Sequence, residues 1–270
     1  MDKNIVYKDF AKSLRRLIIK ATYDTGRVGV HVGPALSVAD FIAVMYGGKL
    51  NVTPSNATDD NRDRFILSKG HAYTALYAAL ALKGYFTEDT LKENFMTDGG
   101  FLPAHPIKNL PVGIECSSGS LGMGLSYAIG KALNAKKKNL GYTTYVVMGD
   151  GECDEGSTWE AFMSAVQYQL NNLVVFIDHN HLQHDGNPRD VMNIPFADVL
   201  KAWGWEVASI DGNDVDAIVD ALDRRSSTKP FAIVGNTIKG KGISFMENDN
   251  AWHHAHITEE QFNQCMDELM

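Results

Sequence analysis

Residues 145–156 read Tyr-Val-Val-Met-Gly-Asp-Gly-Glu-Cys-Asp-Glu-Gly, and residues 174–183 read Val-Val-Phe-Ile-Asp-His-Asn-His-Leu-Gln. Each segment opens with a short apolar run typical of a strand buried in a parallel sheet. The first run ends at Asp150, and the second is followed by Asn180. Because ligands of parallel sheets bind beyond the carboxyl ends of the strands, we expect Asp150 and Asn180 to meet at one sheet edge.

The Gly-Asp-Gly turn at residues 149–151 suits a phosphorylated ligand, because a glycine has no Cβ to keep the ligand from the backbone. A helix that opens near Gly156 offers free N–H groups to an anion. Three acids in residues 152–155 would repel a bare diphosphate, so a divalent cation is expected with it. The tripeptide alone also fits an ordinary strand-to-helix turn. Asn180 on a second strand favours Mg²⁺, bound by Asp150, Asn180 and a nearby backbone carbonyl.

Downstream of residue 120 the sequence alternates between strand and helix patterns. We expect strands over 143–149, 172–178, 205–210 and 231–236, with helices between them. This alternation predicts an α/β fold, a mostly parallel sheet with helices on both faces. Upstream we expect a helix over 7–25, a loop carrying His31, and a second helix from Ser37. No linker or repeat interrupts the chain, and we expect residues 1–270 to form a single domain.

Composition and net charge argue against several classes of function. The 270 residues are 44% hydrophobic and carry a net charge of −8, with no basic run beyond residues 136–138. A nucleic-acid-binding face is therefore not expected. The amino terminus does not resemble a leader peptide, and no apolar window is long enough to span a bilayer. We expect a cytoplasmic protein with no membrane contact, whose three separated cysteines are reduced thiols.

Four ordered blocks carry a family resemblance. Residues 150–186 resemble the thiamine diphosphate motif, and the form Gly-Asp-Gly-x-x-x-Glu-Gly is similar to that of transketolases. Residues 61–72, Asn-Arg-Asp-Arg-Phe-Ile-Leu-Ser-Lys-Gly-His-Ala, resemble the transketolase block that places a histidine on the diphosphate. Residues 117–124, Ser-Ser-Gly-Ser-Leu-Gly-Met-Gly, resemble its glycine-rich thiamine loop. The ending from Thr237 to His253 resembles that of the short, amino-terminal transketolase subunits.

The resemblance implies the thiamine diphosphate-binding fold, with thiamine diphosphate and Mg²⁺ as cofactors. It assigns metal ligation to Asp150, Asn180 and the Leu182 backbone. The implied cofactor-binding residues are His71, Gly119, Ser120, Leu121, Gly151, Glu155, Asn180 and His253. The implied catalytic residues are His31, His105 and His253, which in the family hydrogen-bond sugar hydroxyls and move protons. Imidazole suits both tasks near neutral pH. Trp252-His-His-Ala-His256 by itself makes only a weak case for zinc.

The resemblance also implies a partner. Thiamine enzymes need a glutamate from a pyrimidine-binding domain, and the resemblance ends with the diphosphate-binding domain. We therefore expect a split transketolase, in which a separate carboxy-terminal transketolase subunit supplies that glutamate and most contacts to the sugar or sugar-phosphate substrate. The family arrangement implies a heterotetramer with two chains of each kind. In the family, Glu155 lies at or near the contact between cofactor domains.

Five residues depart from the usual pattern of the short subunits and leave the sugar open: Val30, Pro34, Met123, His181 and His184. We expect them around the substrate channel. The leading interpretation is transfer of a two-carbon ketol unit from a ketose to an aldose. The alternatives are a related thiamine enzyme, similar to deoxyxylulose phosphate synthase or a 2-oxo acid dehydrogenase component, and a non-catalytic regulatory subunit.

Overall fold

A parallel five-stranded sheet organises the computed structural model, which describes residues 3–183, 186–226 and 228–270. The strand order is β1-β2-β3-β5-β4, and every neighbouring pair is parallel. The strands are β1 Arg64–Leu67, β2 Thr144–Gly149, β3 Leu173–His179, β4 Glu206–Asp211 and β5 Phe231–Asn236. The predicted α/β class and parallel sheet are confirmed.

Helices cover both faces of the sheet. In chain order they are α1 Lys3–Asp24, α2 Val32–Ser37, α3 Ala39–Val44, α4 Tyr73–Leu82, α5 Glu88–Asn94, α6 Met123–Lys138, α7 Gly156–Gln167, α8 Pro188–Val191, α9 Phe196–Trp203, α10 Val215–Arg224 and α11 Glu259–Glu268. Side chains of β3 alternate between two cores, as the pleat of a strand requires. Val174 and Phe176 pack with α1, α3, α4 and α10, whereas Val175 and Ile177 pack with α6, α7 and α9.

The sequence prediction was wrong at three places. Helix α2 begins at Val32, where Gly26, Gly29 and Gly33 had indicated a loop. Pro34 is compatible with this helix, because proline is tolerated in the first turn, where its missing N–H has no intrahelical partner. Strand β1 was not predicted, because it has four residues and begins at an arginine. Helix α11 was also missed, although Thr258 and Gln261 form a reciprocal capping box at its start.

The strand ends place the predicted site residues at one edge of the sheet. Asp150 follows β2, Asn180 follows β3 and Thr237 follows β5 directly. Lys69 follows β1 after one intervening residue. The helices of the described ranges include none with the length and apolar character that crossing a membrane demands.

Candidate functional site

A cavity of about 430 Å³ opens at the carboxyl edge of the sheet. It collects side chains from segments far apart in the sequence, including the ends of β2 and β3 and the loops that carry the histidines. Of the metal, cofactor and catalytic residues predicted from the sequence, those that line it are His31, His71, His105, Gly119, Leu121, Asp150, Gly151, Glu155, Asn180, Leu182 and His253. The sequence therefore identified most of its wall.

Hydrogen bonds connect the three predicted metal ligands through one turn. The Asp150 carboxylate accepts from the backbone N–H of Gly151 at 2.8 Å and from that of His181 at 2.9 Å. The Asn180 amide oxygen accepts from the N–H of Leu182 at 3.1 Å. The turn thus brings together a carboxylate, an amide oxygen and a backbone carbonyl. Such an oxygen set fits Mg²⁺, which usually takes one or two carboxylates and completes its octahedron with phosphate and water oxygens.

Asp178, the acid inside the apolar β3 run, lies beneath this turn with its side chain wholly buried. Its carboxylate accepts from Asn180 Nδ2 at 3.0 Å and from Ser37 Oγ at 2.6 Å. It also accepts from Thr237 Oγ1 and forms an ion pair with the buried Lys69. Because Asn180 donates to Asp178 through its amide nitrogen, its amide oxygen is turned to the other side, toward the N–H of Leu182.

The predicted histidines converge on His31. Its ring centroid lies 5.5 Å from that of His71, 6.0 Å from His105 and 5.3 Å from His253. The structure adds His254, whose ring centroid is 4.6 Å from that of His31. His31 precedes α2 and His71 lies in the turn before α4, whereas His105 and His253 lie in loops. Four imidazoles that line one cavity can donate to or accept from several hydroxyls of a bound sugar.

The glycine-rich loop is divided between two cavities. Gly119 and Leu121 line the main cavity, whereas Ser120 is exposed and lines a neighbouring cavity of about 530 Å³ with Met123. A Cβ on Gly119 would lie 3.1 Å from the ring of His105, and the φ of +141° at this position is one that side chains disfavour. The predicted role of Gly119 and Leu121 thus has a geometric basis that the Ser120 side chain lacks.

Burial and neighbouring charges shift several pKa values in the cavity. Burial, followed by the charge of Asp178, raises the pKa of Asp150 to about 6. Burial, reinforced by Lys69 and the neighbouring histidines, lowers the pKa of His71 well below its ordinary value. Burial also lowers the pKa of His105. The imidazoles of His71 and His105 are therefore held toward the neutral form, in which one ring nitrogen accepts a proton and the other donates a hydrogen bond.

Sequence reasoning missed two lysines of the site, Lys69 and Lys239. Lys239 Nζ donates to the carbonyl oxygen of Leu182 at 3.1 Å and lies 2.8 Å from His253 Nδ1. Burial lowers the pKa of Lys239 to about 8. Lysine is rarely buried without a partner, and the partners of these two lysines lie far away in the sequence, so their burial is evident only from the tertiary contacts. Their places inside the resembling blocks, two residues before His71 and two after Thr237, were the available signal.

The five departures from the family pattern do not all surround the cavity. Pro34 lines it, whereas Val30 is wholly buried and pairs by backbone hydrogen bonds with Ala255. Met123 is exposed toward the neighbouring cavity. The ring of His181 lies 4.0 Å from that of His179, centroid to centroid. His184 lies outside the described residues. Among the four described positions, Pro34 lines the cavity directly, and His181 borders it through its N–H, which donates to Asp150 at 2.9 Å. The influence of these positions on the channel stays a prediction.

Comparison with known proteins agrees with this geometry. Residues 6–269 match the family described as transketolase, thiamine diphosphate binding domain. The chain is 42% identical over 263 residues to a protein of Clostridium sp. (strain MSTE9) named 6-deoxy-6-sulfo-D-fructose transketolase subunit SqwG, covering 96% of this chain and 94% of that protein. It is 40% identical over 245 residues to a protein of Phocaeicola vulgatus named as one subunit of apulose-4-phosphate transketolase, covering 88% and 85%.

A solved structure also shows the similarity to transketolases. The fold superposes on the crystal structure of transketolase from Campylobacter jejuni with a TM-score of 0.91 and 31% sequence identity. That alignment covers 98% of this chain and 43% of the other. The chain therefore spans less than half the length of the solved transketolase, while it covers most of the two bacterial subunits.

Proposed function

Since this chain belongs to the transketolase family and carries its thiamine diphosphate-binding domain, we propose that it is the diphosphate-binding subunit of a split transketolase. The enzyme transfers a two-carbon ketol (glycolaldehyde) unit from a ketose to an aldose. One observation carries the proposal: a single cavity joins the oxygen atoms of Asp150, Asn180 and Leu182 to four histidines. In this proposal residues 1–270 act as one domain.

The residues of the strand ends hold the cofactor in this proposal. Asp150, Asn180 and the Leu182 carbonyl bind Mg²⁺, and His71 and the Gly151 backbone contact the diphosphate. Thiamine diphosphate supplies the nucleophilic carbon and the electron sink for the C–C bond cleavage. Gly119 and Leu121 would contact the thiamine part of the cofactor. The Lys239 ammonium, which donates to the Leu182 carbonyl, would offset part of the negative charge of Asp150 and Asp178.

The histidines handle the substrate and its protons. A ketol transfer removes a proton from a donor hydroxyl and later returns one to the acceptor. His31, His105 and His253 are placed to hydrogen-bond sugar hydroxyls and to carry these protons. Since burial lowers the pKa of His105, its imidazole is ready to accept a proton at neutral pH.

A second chain completes the enzyme. The two bacterial relatives are named as subunits, which supports a partner for this chain as well. We propose that the partner is a carboxy-terminal transketolase subunit with the pyrimidine-binding domain, and that two copies of each chain form a heterotetramer. From the names of these relatives we infer that the donor of this enzyme is a specialised ketose, such as 6-deoxy-6-sulfofructose or apulose 4-phosphate.

Co-expression with a candidate pyrimidine-binding subunit tests the proposal. The pair would be assayed for glycolaldehyde transfer from ketose phosphates and 6-deoxy-6-sulfofructose to a panel of aldehydes. We expect activity with both chains, thiamine diphosphate and Mg²⁺ present. EDTA should abolish it, and added Mg²⁺ should restore it. Full activity of this chain alone would contradict the split arrangement, and activity confined to pyruvate would favour a 2-oxo acid enzyme.

A further inference from the structure

Glu152 is a buried acid in the turn after β2 to which the proposed reaction gives no task. Its side chain is 2% exposed, although it lies only two residues beyond Asp150 in the turn that leaves the sheet. Glutamate is seldom buried unless a cation or several hydrogen bonds satisfy it. In the described ranges no ion pair joins Glu152 to a lysine or arginine. Hydrogen bonds must therefore hold its carboxylate.

Those hydrogen bonds come from three different segments. One carboxylate oxygen accepts from the backbone N–H of Gly122 at 3.0 Å and from the Ser68 hydroxyl. The other accepts from the backbone N–H of Gly149 at 3.2 Å. A charged acceptor makes stronger hydrogen bonds to such groups than a neutral one does. A single side chain thus joins the end of β2, the start of α6 and the segment after β1.

Each donor lies in a segment that carries a predicted metal ligand or cofactor-binding residue. Gly149 directly precedes Asp150, and Gly122 directly follows Leu121. Ser68 begins the Ser-Lys-Gly-His segment that ends at His71. Hydrogen bonds therefore connect one carboxylate to the segments of the predicted metal ligand, the glycine-rich loop and the predicted diphosphate histidine.

Two of these segments, the one that carries Ser68 and the one that carries Gly122, approach each other at backbone distance. A Cβ on Gly124 would lie 2.8 Å from the Cα of Ser68, and a Cβ on Gly70 would lie 2.8 Å from the backbone nitrogen of Gly119. Little side-chain volume separates the segments, so apolar packing alone has little area with which to fix their spacing. Directional hydrogen bonds to a central acceptor can fix it.

We propose that Glu152 is a positioning residue that holds the segments of His71, Leu121 and Asp150 at the spacing required for thiamine diphosphate. It acts through Ser68, Gly122 and Gly149. This inference rests on the proposed function, because that function defines the ligand for which the spacing is set. A glutamine at this position has nearly the same shape, but its amide nitrogen donates hydrogen bonds and cannot accept them. This nitrogen would face at least one of the three donors, and the two donors would repel each other.

Hydrogen exchange on the cofactor-free chain tests the spacing without any activity measurement. In Glu152→Gln, we expect the backbone amides of Gly122 and Gly149 to exchange about 10-fold faster, because each loses a charged acceptor. The matched control is Thr158→Val, which removes a buried hydroxyl that donates to the backbone carbonyl of Glu152 at 3.3 Å. The control should leave both amides unchanged. Unchanged exchange in Glu152→Gln, or equal acceleration in the control, would overturn the inference.

Cofactor binding provides the second measurement. Titration calorimetry of the assembled enzyme with thiamine diphosphate and Mg²⁺ should show about 10-fold weaker binding for Glu152→Gln, with kcat near the wild-type value at saturating cofactor. A lower kcat with unchanged affinity would instead place Glu152 at the reacting atoms and overturn the positioning role. If Glu152→Gln does not fold, Ser68→Ala should accelerate exchange in the same segments, and no acceleration there would overturn the inference.

The two proposals can fail separately. A wild-type enzyme that binds no thiamine diphosphate would refute the proposed function. The exchange of Gly122 and Gly149 would then decide alone whether Glu152 holds the three segments together.

Discussion

The cavity has two halves that are built in different ways. The strand-end half consists of Asp150, Asp178, Asn180 and Lys69, all of them buried and hydrogen-bonded to one another or to the backbone. The loop half consists of His31, His105 and His253, which are exposed or half-buried and contact other rings. The strand-end half is built from buried residues at the ends of the strands, whereas the loop half lies on segments that border them.

This difference in burial suits the two halves to different tasks. A metal and a diphosphate need ligands at fixed distances, and buried hydrogen bonds supply that rigidity at the cost of placing charges away from water. A sugar that enters and leaves needs groups that can move with it, and loops supply those. Mutations should therefore affect stability in the strand-end half and turnover in the loop half.

The largest effect is expected at the Lys69–Asp178 pair. Asp178→Asn leaves the Lys69 ammonium buried without its ion-pair partner, so the free energy of unfolding should fall by about 3–5 kcal/mol. Asp220→Asn is the control, because it breaks the exposed ion pair with Arg224, where less than about 1 kcal/mol is expected. Urea unfolding measures both. The double variant Lys69→Met/Asp178→Asn should recover part of the loss, and equal effects of the two single variants would contradict the comparison.

A smaller effect, on turnover alone, is expected at His105. In the assembled enzyme, His105→Ala should lower kcat about 10²-fold, the lower end of what a placed proton carrier contributes. Its free energy of unfolding should change by no more than about 0.5 kcal/mol, because the residue is largely open to water and its side chain is only partly buried. His256→Ala, also exposed but outside the cavity lining, should change neither quantity. A His105 variant that unfolds easily but keeps its kcat would remove the distinction between the halves.

The two halves also differ in how far the sequence predicted them. Asp150 and Asn180 could be paired because strand ends of a parallel sheet meet, which is a property of the local pattern and the fold class. Lys69 could not be identified in this way, because its burial depends on Asp178, more than a hundred residues later. The family resemblance identified His31, His105 and His253, but nothing in their spacing along the sequence indicated that His105 and His253 would both face His31. The Ser120 side chain shows the limit: membership in a motif did not determine the direction of the side chain.

His71 lies between the halves, and its pH dependence shows to which one it belongs. Burial first, then the charges of Lys69 and the other histidines, lower its pKa in the folded state below the ordinary value of 6.5. The unfolded chain therefore binds more protons below about pH 6.5, so stability is full above that pH and falls as the pH decreases. His71→Asn should remove this part of the slope between about pH 7 and pH 5, and His256→Asn should keep it. The measurement is urea unfolding across that range. A slope that His71→Asn leaves intact would group His71 with the exposed histidines, and a flattened slope would place it in the strand-end half, whose charges set its protonation.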